Sequence, residues 1–185
     1  MTRITWSVMS SLDGRSAAAG EGLETIAWFR ADEEWLDYSV ELLDGADTLL
    51  FGRTTYDGME SYWPTADGPV AERMNGLRKL AFSRSPRATQ WAGARMSADP
   101  VADVAALRAA GGRDAVVMGS ATLAGTLVEH GLVDEIRVAV NPVLLGGGTP
   151  LFSGDGRVDL ELAGTRTFGS GIVELRCTPL SRSGS

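Results

Sequence analysis

Two short stretches of this chain have the makings of a phosphate site: Gly52-Arg53-Thr54-Thr55 and Gly119-Ser120-Ala121-Thr122. Each directly follows an apolar run of strand length, Thr48 to Phe51 in the first case and Ala115 to Met118 in the second. Each precedes a helical pattern. A strand that turns through glycine into a helix leaves the first backbone N–H groups of that helix without partners, and these attract an anion. Arg53 adds a planar guanidinium fork, and Thr54 and Thr55 add hydroxyl donors. Ligands of open α/β sheets bind outside the carboxyl ends of the strands. Two such junctions can therefore hold the two ends of one dinucleotide. The plainer reading is a pair of ordinary helix starts with a solvated arginine; finding two junctions of this kind favours a ligand.

The remaining reactive side chains are few. Ser83-Arg84 ends a further strand pattern and is either another cationic strand end or a plain turn before Pro86. Asp13-Gly14 is a common turn pair. The lone cysteine, Cys177, alternates with Val173 and Leu175 and reads as a small buried hydrophobe. One histidine, His130, sits near a helix end, where a cation complements the dipole. Histidine-based metal sites and triads therefore lack support, and no metal site is expected.

Composition narrows the classes. With 17 basic and 24 acidic residues the net charge is −7, which argues against nucleic-acid binding through a basic face. It leaves room for a phosphorylated cofactor, because a few local arginines can outweigh the global sign. No run of about 18 apolar residues offers a membrane span, and the N-terminus lacks a signal-peptide core. A cytoplasmic protein is the expectation. The 185 residues, 44% of them hydrophobic, suit one packed domain over residues 1–180, followed by a polar tail at 181–185.

The elements that must position these residues alternate. Ile4, Trp6 and Val8 mark a strand over 3–9, followed by a loop from Ser10 to Gly22 rich in Gly, Ala and Ser. Asp32 reads as an N-cap ahead of a helix whose face carries Leu36, Val40 and Leu43. Strand 48–51 leads to a helix from Thr54 to about Glu60, and a short helix is predicted over 71–76. Lys79 to Ser83 and Thr89 to Trp91 read as strands, and Val101 to Ala110 as a helix. The strand at 115–118 and a helix stopped by Gly131 follow. Val133 to Leu145 reads as a long strand, and two more are predicted near 158–167 and 171–178. Alternation up to about residue 130 predicts βαβ units in a mainly parallel sheet, with an antiparallel addition after it.

Several segments resemble one known family in the right order. Leu123-Ala124-Gly125, Gly131-Leu132-Val133-Asp134-Glu135 and Pro142-Val143-Leu144-Leu145-Gly146-Gly147-Gly148 resemble the reductase domain of riboflavin biosynthesis, a member of the dihydrofolate reductase-like superfamily. Ser11-Leu12-Asp13-Gly14-Arg15 is similar to the segment that opens such reductases, and Gly52-Arg53-Thr54-Thr55 resembles the NADPH-binding turn of dihydrofolate reductases. The resemblance implies a three-layer dihydrofolate reductase-like α/β sandwich, its mixed sheet mainly parallel with antiparallel C-terminal strands. It implies an NADPH-dependent oxidoreductase that transfers hydride to a small heterocycle, most like the reductase acting on 5-amino-6-(5-phosphoribosylamino)uracil. A homodimer is implied as well. Gly52, Arg53, Thr54 and Thr55, Ser83 and Arg84, and Gly119, Ser120, Ala121, Thr122 and Leu123 would bind the cofactor. Arg53 and Arg84 would together select NADPH, since its extra phosphate needs paired cations. Asp13 would be the polar substrate contact or proton relay.

Two departures from the family bear on the substrate. Riboflavin-type reductases often carry Glu-Gly-Gly where this chain has Met118-Gly119-Ser120. Gly22 to Phe29 resembles the dihydrofolate reductase helix that carries a catalytic carboxylate three residues before a Trp-Phe pair, and that position here is Thr25. Glu24 is adjacent and would serve only as a shifted acid, with Trp28 beside it as a pocket wall. The alternatives are thus a dihydrofolate reductase using Glu24, and a nucleotide-binding protein without catalysis. No deaminase signature of the His-x-Glu and Pro-Cys-x-x-Cys kind is present.

Overall fold

The computed structural model describes residues 1–154 and 156–180, so the predicted tail at 181–185 lies outside the described residues. The chain runs β1 (Ile4–Ser11), β2 (Arg15–Ala17), α1 (Glu33–Asp44), β3 (Ala46–Gly52), α2 (Arg53–Tyr62), α3 (Pro69–Gly76), β4 (Arg78–Phe82) and β5 (Ala94–Ser97). It continues through α4 (Pro100–Ala110), β6 (Asp114–Met118), α5 (Ala121–Glu129), β7 (Glu135–Asn141), β8 (Thr149–Pro150), β9 (Leu160–Thr167) and β10 (Val173–Pro179). Eight strands form one sheet in the order β5-β4-β3-β6-β1-β7-β10-β9. β5 through β7 are parallel to their neighbours, and β10 pairs antiparallel with both β7 and β9. This is the expected layered α/β architecture with its antiparallel C-terminal addition.

The period-two pattern of β1 separates two faces. Ile4, Trp6 and Val8 join one continuous core with Val104 of α4, with Leu123 and Leu127 of α5, and with Leu50, Val117 and Ile136 of neighbouring strands. The opposite face carries two separate clusters. One lies over β3 and β4 around Leu49, Phe51, Tyr56 and Met74. The other lies over β7 around Tyr38, Ala139, Phe168 and Ile172, with Phe29 and Trp35 against it. Between the two, β1 presents Thr5, Ser7, Met9 and Ser11, of which Ser7 and Met9 are only half-buried. Ser7 lies level with Met118 on one side and Arg137 on the other. The centre of this face is therefore a break between the two apolar clusters, with Ser7 and Met9 as its floor.

Local details correct several predictions. The strand predicted at Thr89 to Trp91 is not formed; β5 occupies Ala94–Ser97 instead. Trp91 is buried in the cluster over β3, and its backbone N–H donates to Glu60, so it is held by packing and not by a ladder. The long strand predicted over Val133 to Leu145 shortens to Glu135–Asn141. Asp134 precedes it and accepts from Ile4 N at 2.8 Å, and Pro142, lacking an N–H, ends the ladder. The helix predicted at 71–76 starts earlier, at Pro69, whose fixed φ suits a first turn. The Gly22 to Phe29 segment contains only a four-residue 3-10 turn, Leu23–Ile26, in place of the helix implied by resemblance. The loop from Ser10 to Gly22 is also more ordered than its composition suggests. β2 within it pairs antiparallel with β8, and Gly148 passes so close to Ala17 O that a Cβ there would overlap it.

Candidate dinucleotide and substrate site

β3, β6 and β1 are adjacent, so their carboxyl ends bring the two glycine junctions side by side. Gly52 N donates to Ser120 Oγ at 2.9 Å, and that hydroxyl donates in turn to Met118 O at 2.9 Å. One side chain thus staples the two predicted phosphate turns together. Ser120 is the N-cap residue of α5, yet its side chain caps nothing; it takes a left-handed backbone with φ 52. Gly119 precedes it at φ +56, a conformation that glycine adopts without cost. Gly119 N donates to Ser7 O at 2.8 Å, and Gly119 O accepts from Trp6 Nε1 at 2.7 Å. The turn is therefore pinned to β1.

The helix starts at these junctions carry no side-chain cap. Neither α2, beginning after Gly52, nor α5 has a capping hydrogen bond. By contrast α1 is capped by Asp32 through Trp35 N, and α4 by Asp99 through Ala102 N. Uncapped N–H groups at two adjacent helix starts form a cradle with partial positive charge from both dipoles, the kind of surface that attracts an anion. Thr54 and Thr122 are exposed there, whereas the side chains of Ala121 and Leu123 are buried, which leaves only their backbone N–H groups for the cradle.

A cationic rim adjoins the cradle. Gly52 lies opposite Phe82 in the β3–β4 ladder, so Arg53 and Ser83-Arg84 leave neighbouring strands at the same level. Ser83 Oγ accepts from Ser85 N at 3.1 Å and forms a local turn. Arg84 is exposed. Arg53 donates through Nε to Asp57 Oδ2 at 2.6 Å. Composition and motif reading missed the acids that organise this rim. Asp57 lies four residues after Arg53, a helical ion-pair spacing that was legible. Arg87 was not legible: it reaches Asp57 Oδ1 at 2.8 Å and Glu60 Oε2 at 2.6 Å only through the folding of the loop after β4. Burial works against the Glu60 carboxylate, but Arg87, Gln90 N, the Tyr56 hydroxyl and Trp91 N together bring its pKa down to about 2. That carboxylate fastens the loop to α2.

The substrate-side residues are placed differently. Asp13 accepts from Ser11 Oγ at 2.6 Å, from Leu145 N at 3.0 Å and from Gly146 N at 2.8 Å. The Ser11 hydroxyl first, then these two amides, lower its pKa to about 2. The carboxylate anchors the glycine-rich loop after β7, so the residue expected as substrate contact or relay is engaged in holding that loop. Glu24 is exposed on the 3-10 turn, and Thr25 spends its hydroxyl on Gly22 O at 2.7 Å. Trp28 is half-buried; its Nε1 donates to Thr25 O at 2.7 Å and its ring meets Phe29 edge-on. No carboxylate stands at position 25. Among the described residues no His, Cys, Asp and Glu cluster could hold a metal ion, and no helix is long and apolar enough to cross a membrane.

Comparison with known proteins agrees with this architecture. The family model of the RibD C-terminal domain matches residues 2–174. YyaP of Bacillus subtilis (strain 168), itself uncharacterized, is 33% identical over 141 residues, 73% of this chain and 75% of its own. Acinetobacter baumannii RibD superposes with a TM-score of 0.71 at 17% identity, covering 97% of this chain and 58% of that one. Dihydrofolate reductase from Enterococcus faecalis, complexed with NADP(H) and RAB-propyl, gives 0.66 at 13% identity over 97% of both chains. These two likenesses establish a dihydrofolate reductase-like fold.

Proposed function

Because the chain belongs to the RibD C-terminal domain family, a family of reductase domains, we propose that it is an NADPH-dependent reductase acting on a small heterocycle of the ribosylamino-pyrimidine type. One observation carries the reading. Two uncapped helix starts are joined through Ser120, and beside them Arg53 and Arg84 leave adjacent strand ends. Donors of this kind at neighbouring strand ends suit a dinucleotide bearing an additional phosphate. When bound, NADPH supplies the hydride.

The chain's own residues divide the work. The N–H groups opening α2 and α5 hold the linking phosphates, and glycine at 119 lets the backbone come close. Arg53 and Arg84 take the extra phosphate on the adenosine ribose. The break in the core over Ser7, Met9 and Met118 is the space left for the substrate ring, with Trp28 as a wall. Met118 makes the floor beside the cofactor turn uncharged, which favours a neutral heterocycle over a cationic one. The loop after β7, held by Asp13, borders the same strand ends. A folate reductase is disfavoured, since Thr25 cannot carry the charge that pairs with a protonated pterin.

Titration of NADPH and NADH, followed by quenching of the tryptophans, tests the reading. Tight NADPH binding, weaker NADH binding and loss of both preference and affinity in Arg53→Ala and Gly119→Asp are expected. Oxidation of NADPH on adding ribosylamino-pyrimidines would then identify the acceptor. Binding without turnover across that series would favour a nucleotide-binding protein, and absence of binding to either nucleotide would sink the reductase reading.

A further inference from the structure

We propose that Asp57 is a positioning residue: it selects the phosphorylated dinucleotide by aiming the Arg53 guanidinium. The inference rests on the reading of the two junctions as a dinucleotide site. Arg53 spends only Nε on Asp57, at 2.6 Å, and its two terminal nitrogens make no other bond among the described residues. A guanidinium held through Nε keeps a free two-pronged edge, the edge that grips a phosphate bidentately. Without that hold, a side chain 41% exposed would sample many rotamers, and ordering it on binding would cost affinity.

Asp57 is itself fixed. Its other oxygen accepts from Arg87 Nη2, which also binds Glu60. Glu60 in turn is held by the Tyr56 hydroxyl and by Gln90 N and Trp91 N. The chain of contacts runs from the buried ring of Tyr56 to the free edge of Arg53. It also sorts the cations. Arg87 is committed to two carboxylates, whereas Arg84 is exposed and makes no bond among the described residues. Arg53 and Arg87 are balanced by Asp57 and Glu60, and exposed Arg84, two residues past β4, adds a positive charge at the same strand ends of a chain of net charge −7. The rim is attractive to an anion, and the acids within it decide which guanidiniums are offered.

The opposing reading makes Asp57 a plain counter-ion that competes with phosphate. Binding of NADPH and NADH to Asp57 variants separates the two. Positioning requires that Asp57→Ala weaken NADPH about fivefold and leave NADH unchanged. Asp57→Asn keeps an acceptor for Nε and should stay near wild type. Asp57→Glu keeps the charge but displaces the guanidinium, and should lose NADPH preference; it serves also should the alanine variant not fold. Tighter NADPH binding in both Asp57→Ala and Asp57→Asn, or an unchanged NADPH-to-NADH ratio in Asp57→Ala and Asp57→Glu, overturns the inference while the reductase reading stands. A wild-type protein without preference for NADPH overturns both.

Discussion

At the scale of single residues, the instructive case is a carboxylate that the motif placed correctly and the contacts reassigned. Asp13 stands where the resemblance puts a polar group near the substrate, yet both its oxygens accept hydrogen bonds, from the Ser11 hydroxyl and from two amides of the loop after β7. Its pKa, 3.8 in ordinary surroundings, falls to about 2. A depressed carboxylate contributes to stability above its unfolded value, and that contribution fades as pH falls through the folded one. Protection of the Leu145 and Gly146 amides, their exchange measured against that of the unstructured peptide at the same pH, should therefore hold down to about pH 4 and fall between about pH 4 and pH 2. Protection that does not change across this window would show that the carboxylate does not hold the loop. Asp13→Ala should give fast exchange at both amides throughout, with little effect on dinucleotide binding.

At the scale of elements, function depends on how strand ends meet helix starts. α2 and α5 both begin without caps, which costs each helix some stability. The Ser120 hydroxyl compensates in part by satisfying Gly52 N and Met118 O across two elements. Ser120→Ala removes both bonds and should destabilise the protein by about 1–2 kcal/mol, read from urea unfolding. Dinucleotide affinity should fall as well, because the cradle loses its staple. Ser120→Gly relieves the left-handed backbone but restores neither bond, so its affinity should remain low. Recovery of affinity in the glycine variant would mean that backbone strain, and not the hydroxyl, sets the geometry.

Across the whole molecule, a buried charge network ties the antiparallel addition to the parallel sheet. Glu135 on β7 accepts from Arg3 at 2.5 Å and from Arg137, and Arg137 donates to the Tyr38 hydroxyl at 3.1 Å. Burial first, and the Glu174 carboxylate second, raise the Tyr38 pKa, so the phenol keeps its proton as a donor. The network thus joins the residue just before β1 to β7, β10 and α1. Its members are unequally exposed: 8% for Glu135, 20% for Arg137 and 49% for Arg3. Removing a buried ion strands its partner, whereas an exposed one is replaced by water. Glu135→Ala should therefore cost about 3 kcal/mol and Arg3→Ala less than about 1 kcal/mol, both measured by chemical denaturation. Equal costs would show that the network does not hold the sheet together.

The sequence by itself determined the order of the main helices and most strands of the large sheet, the split between parallel and antiparallel strands, and the two glycine junctions. Hydrophobic period and turn chemistry are local, and they are written in neighbouring residues such as Ile4, Trp6 and Val8 or Phe51-Gly52-Arg53. Element ends were less legible: β5 was displaced from Thr89–Trp91 because Trp91 packs inward while Glu60 holds its backbone. Which polar groups remain free was decided only by tertiary structure. Asp13 and Arg87 look available in the sequence, but partners distant along the chain consume them. Arg53 keeps a free edge and Ser120 becomes a staple for the same reason. A side chain's chemistry depends on which lone pairs and protons its neighbours leave unused, and those neighbours are chosen by the packing of the sheet.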